Sequence, residues 1–172
     1  MATASEKPPA ACAYVVGEDG LATWSQTHKD AWIGLLETHK RLTRALEAEL
    51  ETEFGLGLSA LEMMGRLAAA EHRILRLSDI AERTGLSLSR VSRITDTLEA
   101  RGLVERRQCP EDLRARNAWL TDAGLGLLRT AQASHFASVQ KRFFDRMQPG
   151  EVAALAELFG RFAPPGTAET CC

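Results

Sequence analysis

Ser87, Leu88, Ser89, Arg90, Ser92 and Arg93 fall within one short stretch, a concentration of hydroxyl and guanidinium groups able to bind phosphates and the hydrogen-bonding edges of bases. With an advance of about 100° per residue, a helix here puts Ser89, Ser92, Arg93 and Asp96 on one face, with Leu88 and Arg90 at its borders. Val91, Ile94 and Leu98 gather on the opposite face and are expected to pack inward. Ser87 and Ser89 also flank a helix N-terminus, whose unpaired N–H groups attract phosphate. By itself such a face belongs to any solvated amphipathic helix. Its setting changes the reading, because Arg106, Arg107, Arg114 and Arg116 follow in a segment expected to lie beside the same groove.

The elements that would position these residues can be read from periodicity and caps. Thr27 and Asp30 stand at capping-box spacing before a helix to Phe54, with Trp32, Leu35, Leu36, Leu42, Leu46 and Leu50 in one stripe. Gly55 and Gly57 break it, and Ser59 with Glu62 forms a second such box before a helix to about Ala70. Ile74–Leu77 reads as a short strand. Ser78 is expected to cap a helix over Asp79–Thr84 that Gly85 ends, and Ser87 to start the next, which stops at Gly102. Two short helices around a Gly-containing turn make a helix-turn-helix. Leu103–Arg107 and Ala115–Leu120 then read as strands of a hairpin with a polar tip, a wing. Thr121 caps a long helix over Asp122–Met147, despite Gly124 and Gly126, and a last helix follows Pro149.

Composition bounds the function. The chain has 172 residues, 45% of them hydrophobic, and a formal net charge of −2, which excludes wholesale disorder and a protein that coats nucleic acid by charge alone. Residues 71–117 nonetheless hold ten arginines against eight acidic residues, a balance that permits a local DNA-binding surface. No apolar run is long enough for a membrane span, and no secretory signal opens the chain, so a cytoplasmic protein without membrane partners is expected. Cys12, Cys109, Cys171 and Cys172 lack the spacing of a disulfide framework and read as reduced thiols.

The segment Leu77–Thr121, LSDIAERTGLSLSRVSRITDTLEARGLVERRQCPEDLRARNAWLT, resembles the winged helix-turn-helix of the MarR family of bacterial transcription regulators. LSDIAERTGLS, VSRITDTLEARGLVER and the wing motif Asp112, Leu113, Arg114 carry the resemblance, and the flanking helices are similar to the family's dimerisation helices. The resemblance implies that Ser89, Ser92 and Arg93 meet the major groove of double-stranded DNA, with Leu88 and Arg90 close by. It implies further that Arg114 enters the minor groove, braced by Asp112. Cys109, Leu113 and Trp119 depart from the family pattern, the last by its size.

The expected fold class is thus mainly α with a small β wing: a winged helix-turn-helix plus long helices forming an α-helical dimerisation region. The expected divisions are a flexible tail over 1–23, dimerisation helices over 24–58 and 121–162, the DNA-binding domain over 59–120, and a second flexible tail over 163–172. The terminal stripes exceed what one small domain covers, so a homodimer on an inverted-repeat operator is expected.

Family resemblance also implies release by a small aromatic ligand, for which Trp24, Trp32, His39, Met63, Met64 and Arg66 are candidates. Trp32 and the methionines stand at helical spacing and read first as core. His28, His39, His72 and His135 are scattered without metal-ligand spacing, and no phosphate loop or nucleophile motif is present, so neither a metal, a cofactor nor an enzyme is expected. Two other readings stay open: a winged-helix protein-interaction module, and a thiol redox sensor using Cys12.

Overall fold

The computed structural model describes residues 14–108 and 116–162, and the chain divides into two compact units, residues 1–43 and 44–172. In the first unit β1 (Tyr14–Val16) and β2 (Ala22–Trp24) pair antiparallel, Tyr14 opposite Trp24. The turn between them closes through Gly17 N–H donating to Leu21 O at 2.9 Å and Leu21 N–H donating to Asp19 Oδ1 at 3.0 Å. Residues 14–23 of the expected flexible tail thus form most of this hairpin, and residues 1–13 lie outside the described residues. Three-residue strands are too short to show alternation, and Gly20 at φ +78° supplies the turn geometry. Helix α1 (Gln26–Phe54) runs from this unit into the second. Its first turn is closed by Ser25, whose Oγ lies 2.7 Å from His28 Nδ1, while Asp30 pairs with Gln26 at 2.8 Å, so the expected Thr27–Asp30 box does not form.

The second unit continues with α2 (Leu58–Ala69), a 3-10 turn (Glu71–Arg73), β3 (Ile74–Arg76), α3 (Leu77–Thr84) and α4 (Leu88–Ala100). Strands β4 (Val104–Gln108) and β5 (Arg116–Leu120) follow, then α5 (Asp122–Arg142), a second 3-10 turn and α6 (Glu151–Gly160). The sheet order is β3-β5-β4, antiparallel throughout, so the expected hairpin gains a third strand laid against β5. Leu56, Met63, Met64, Leu67, Ile80, Val91, Leu98, Val104 and Leu120 are at most 1% exposed and form the core between the helices and one face of this sheet. Each such side chain contributes about 1.5–3 kcal/mol relative to exposure. Among the described residues no helix is long and apolar enough to cross a membrane.

Helix ends differ from expectation where a distant side chain takes over the cap. The Ser59–Glu62 box is displaced because Glu47 of α1 accepts from Leu58 N–H at 2.9 Å, which places Ser59 inside α2. Ser78 lies inside α3, which starts one residue earlier, and its hydroxyl donates to Asp79. Local caps hold where they are expected at Ser87 and Thr121, which accept from the N–H of Arg90 and Gly124. Helix α5 ends at Arg142, short of Met147. Along it, Arg142 and Ser138 both donate to Glu49 of α1 and hold that carboxyl below the usual range, and Ser134 donates to Glu53 at 2.7 Å.

Thr121 also explains Gly124. Its N–H donates to Leu103 O at 3.1 Å, drawing the start of α5 onto that carbonyl until a Cβ on Gly124 would sit 2.1 Å from the oxygen. Gly126 meets nothing within 4 Å. Gly124→Ala should therefore destabilise the protein by about 1–3 kcal/mol and lower Tm by roughly 5 °C. Gly126→Ala should be neutral or stabilise by about 0.5–1 kcal/mol. Thermal melts of the two variants showing equal shifts would contradict this account of the α5 start.

Candidate nucleic-acid interface

The polar face of α4 begins at its cap. Ser87 Oγ accepts from Arg90 N–H at 3.3 Å and lies 3.1 Å from Ser89 Oγ, so the two hydroxyls are tied to each other at the helix N-terminus. Leu88 is 55% exposed although apolar, and Ser89, Arg90 and Arg93 are exposed. Behind them Val91 and Leu98 are buried and Ile94, half-buried, packs against the core, as the spacing predicts. Thr95 joins them, wholly buried, and its hydroxyl returns to Val91 O at 2.8 Å. Threonine satisfies its own polar group within the helix and so reads as core only once the fold is known.

Arg106 is the central correction. The sequence places it with the groove-facing basic residues, but β4 and β5 pair it with Ala118 on the sheet face that meets α4. There its guanidinium lies 2.6 Å from Asp96 Oδ1 and 2.7 Å from Glu99 Oε2, and donates to Ser92 O and Oγ at 3.1 and 3.3 Å. The Arg106 N–H donates to the other Glu99 oxygen at 2.9 Å. This backbone bond and the guanidinium hold the Glu99 carboxyl below its usual range, against burial. Burial opposes the Arg106 charge, yet Glu99 and Asp96 raise its proton affinity beyond the ordinary arginine value. Asp96 and Glu99 would otherwise repel a phosphate backbone from beside the polar face more strongly; Arg106 offsets one of their two charges in place.

The remaining arginines divide in two. Arg90 donates to Ser59 Oγ of α2 at 3.3 Å, and Arg101 donates to Gly55 O and Phe54 O at 2.6 and 2.8 Å, capping the carbonyl end of α1. Arg107 projects from the opposite sheet face and stacks on Trp119, its Cζ 3.7 Å from the ring centroid. It is therefore turned away from the α4 side where the sequence reading places it. Among the described residues Arg93 and Arg116 alone of the α4, β4 and β5 arginines engage no partner, and both are exposed. Asp112 and Arg114, with Cys109 and Leu113, lie outside the described residues, as do Cys12, Cys171 and Cys172.

The ligand candidates are not all available. Met63 and Met64 have no exposed surface and are core residues, which removes Met63 as a lining residue without repacking. Arg66 meets Glu62 one turn earlier at 3.2 Å. Trp32, read first as core from its spacing, is 48% exposed and lies edge-on to Trp24 with centroids 6.3 Å apart. His39 is exposed on the same stretch of α1.

Comparison with known proteins adds to this geometry. The MarR family pattern matches residues 68–115. The crystal structure of AbsC, a MarR family transcriptional regulator from Streptomyces coelicolor, is similar at 32% identity with a TM-score of 0.75, covering 81% of this chain and 94% of that one. Sco3205 from the same organism, a MarR family transcriptional regulator whose structure is in complex with DNA, is similar at 28% identity and TM-score 0.75, over 81% of this chain and 88% of that one. YfiV of Bacillus subtilis (strain 168), an uncharacterized HTH-type transcriptional regulator, is 29% identical over 77% of this chain and 81% of its own length.

The Arg106 contacts make two expectations. Arg106→Ala leaves Asp96 and Glu99 without their cation and should destabilise the protein by about 1–3 kcal/mol in denaturant melts. Because the folded Glu99 carboxyl ionises below its unfolded value, its contribution is present at neutral pH and is lost as pH falls through that lowered value. The Arg106 amide resonance should follow this titration with a midpoint below the ordinary glutamate value of about 4.3, and Glu99→Gln should abolish it. A midpoint at the ordinary value would show that the bond does not hold in solution.

Proposed function

The chain belongs to the MarR family of transcriptional regulators, and on that premise we propose that it binds double-stranded DNA as a homodimer, occupies a short inverted repeat and represses transcription by occluding the promoter. The observation that carries this reading is the division of charge around α4. Arg106 offsets part of the charge of the nearby carboxylates, while Arg93 and the exposed Leu88 stay uncommitted on the helix beside the linked hydroxyls of Ser87 and Ser89, and Arg116 stays uncommitted on β5. Arginine suits guanine edges or phosphates, serine either, and leucine the thymine methyl. Ser87, Arg90 and Ser92 border that face, and the family resemblance adds Arg114 as a minor-groove contact with Asp112 as its brace. The DNA complex of Sco3205 supports the same use of the shared fold.

Dimerisation through segments 24–58 and 121–162 is supported by apolar exposure. Trp32, Leu35 and Leu36 on α1, Phe136 on α5, and Val152, Leu158 and Phe159 on α6 are each 44–51% exposed. Monomeric proteins rarely leave so many large apolar groups in water. Two-fold symmetry would set the two α4 helices about 34 Å apart, one turn of DNA. Release by a small aromatic ligand is supported by the exposed Trp24–Trp32 pair with His39 nearby.

Selection of duplexes from a random pool should yield an inverted repeat, with affinity for it falling steeply with salt at about 0.9 per phosphate contacted. Arg93→Ala should cost about 1–3 kcal/mol of binding and relax preference at one position per half-site. Arg114→Ala should weaken binding to A·T-rich flanks more than to G·C-rich ones. A pool that yields no preferred sequence would overturn the regulator reading in favour of a protein-interaction module.

A further inference from the structure

The sheet face opposite Arg106 carries a second set of contacts. Trp119 is gripped by two guanidinium groups, Arg107 with its Cζ 3.7 Å from the ring centroid and Arg73 at 5.6 Å. Arg107 is itself steadied by Glu105 at 3.4 Å, and Arg73 Nη1 lies 2.8 Å from Oδ1 of Asp122, the first residue of α5. Arg73 occupies an unusual backbone position. Among the described residues His72 and Arg73, at φ 54° and 59°, are the positive-φ residues other than glycine, consecutive in the elbow that delivers β3 to the sheet. Left-handed geometry is unfavourable for both residue types, so the elbow persists only because its surroundings fix it.

An exposed ion pair to Asp122 is too weak to do this alone; the indole supplies the other side of the grip. Ile74, directly after the elbow, pairs with Trp119, so the elbow's shape sets how β3 lies against β5, the strand that also carries Arg116. One face of the sheet is thus fastened to α4 by Arg106, and the other to the elbow and α5 by Trp119 and Arg73.

We propose that Arg73 and Trp119 are positioning residues for DNA binding: they touch no DNA, and by fixing the tilt of β4 and β5 they set where Arg116 meets the phosphate backbone. This rests on the DNA-binding reading above.

The test uses the full chain and the duplex selected by the wild-type protein, with Arg73→Gly, Trp119→Leu and Trp119→Phe. Glycine is at ease at φ 59°, so Arg73→Gly removes the grip and the strain together and should melt at or above the wild-type temperature. It should nevertheless bind about five- to tenfold more weakly, with a salt slope shallower by about one phosphate contact and unchanged base preference. Trp119→Leu should show the same binding loss, and Trp119→Phe, which keeps an aromatic face, should recover part of it.

Wild-type affinity and slope in Arg73→Gly and Trp119→Leu would overturn the proposal. So would a loss of affinity that tracks a loss of melting temperature, or one that alters base preference, since the effect would then be general destabilisation or would run through α4. A wild-type protein with no preferred duplex would sink the DNA-binding reading, and the positioning role with it, and the wild-type arm alone would show this.

Discussion

Arg106 joins two elements that secondary structure leaves independent. A recognition helix is held by its buried stripe and a β-hairpin by its ladder, and neither fixes the angle between them. One guanidinium shared by Ser92, Asp96 and Glu99, with a backbone bond to Glu99 beside it, sets that angle. The group has the right form for this task. It is planar, always charged and rich in donors, and at 18% exposure it sits where solvent screens it only in part. A lysine would supply the charge without the fork.

The same contact decides which charges remain for DNA. The balance of arginines over acidic residues in this region is small, so a surface with every charge free would attract phosphate weakly. Pairing Arg106 with the two carboxylates reduces repulsion next to the helix, and the commitments of Arg90, Arg101 and Arg107 spread the other cations over α2, the end of α1 and the outer sheet face. Arg93 on α4 and Arg116 on β5 are left uncommitted. Selectivity on this account comes from placing a few free groups accurately. The fastening of α5 to α1 through Glu49, Arg142 and Ser138 extends the same stiffness toward the surfaces assigned to the dimer.

How much of this was legible in the sequence depended on the distance over which each interaction acts. Ser87 and Thr121 cap their own helices within three residues, so their spacing announced them, and the resemblance to a winged helix-turn-helix rested on such local signals. Glu47 and Arg101 cap helices eleven and more residues away, and their roles left no local trace. The partners of Arg106 stand on another element, and alternation along β4 does not say which face meets α4. Two anomalies did carry information. Gly124 in an otherwise good helix marked the close approach to the Leu103 carbonyl, and the size of Trp119 marked the arginine contacts around it. Thr95 in the core and the hairpin over Tyr14–Trp24 left no usable signal, one because threonine hides its hydroxyl, the other because its strands are so short.

The central claim is that α4 and the wing meet DNA as one body because Arg106 fastens them together. A double-mutant cycle on duplex binding tests it directly, combining Arg93→Ala with Arg106→Ala. If Arg106 sets the register in which Arg93 works, each substitution will cost much less when the other is already in place, giving a coupling of about 1 kcal/mol or more between groups that make no contact with each other. Strictly additive losses would contradict the account, showing that the recognition helix finds its place on DNA without the wing.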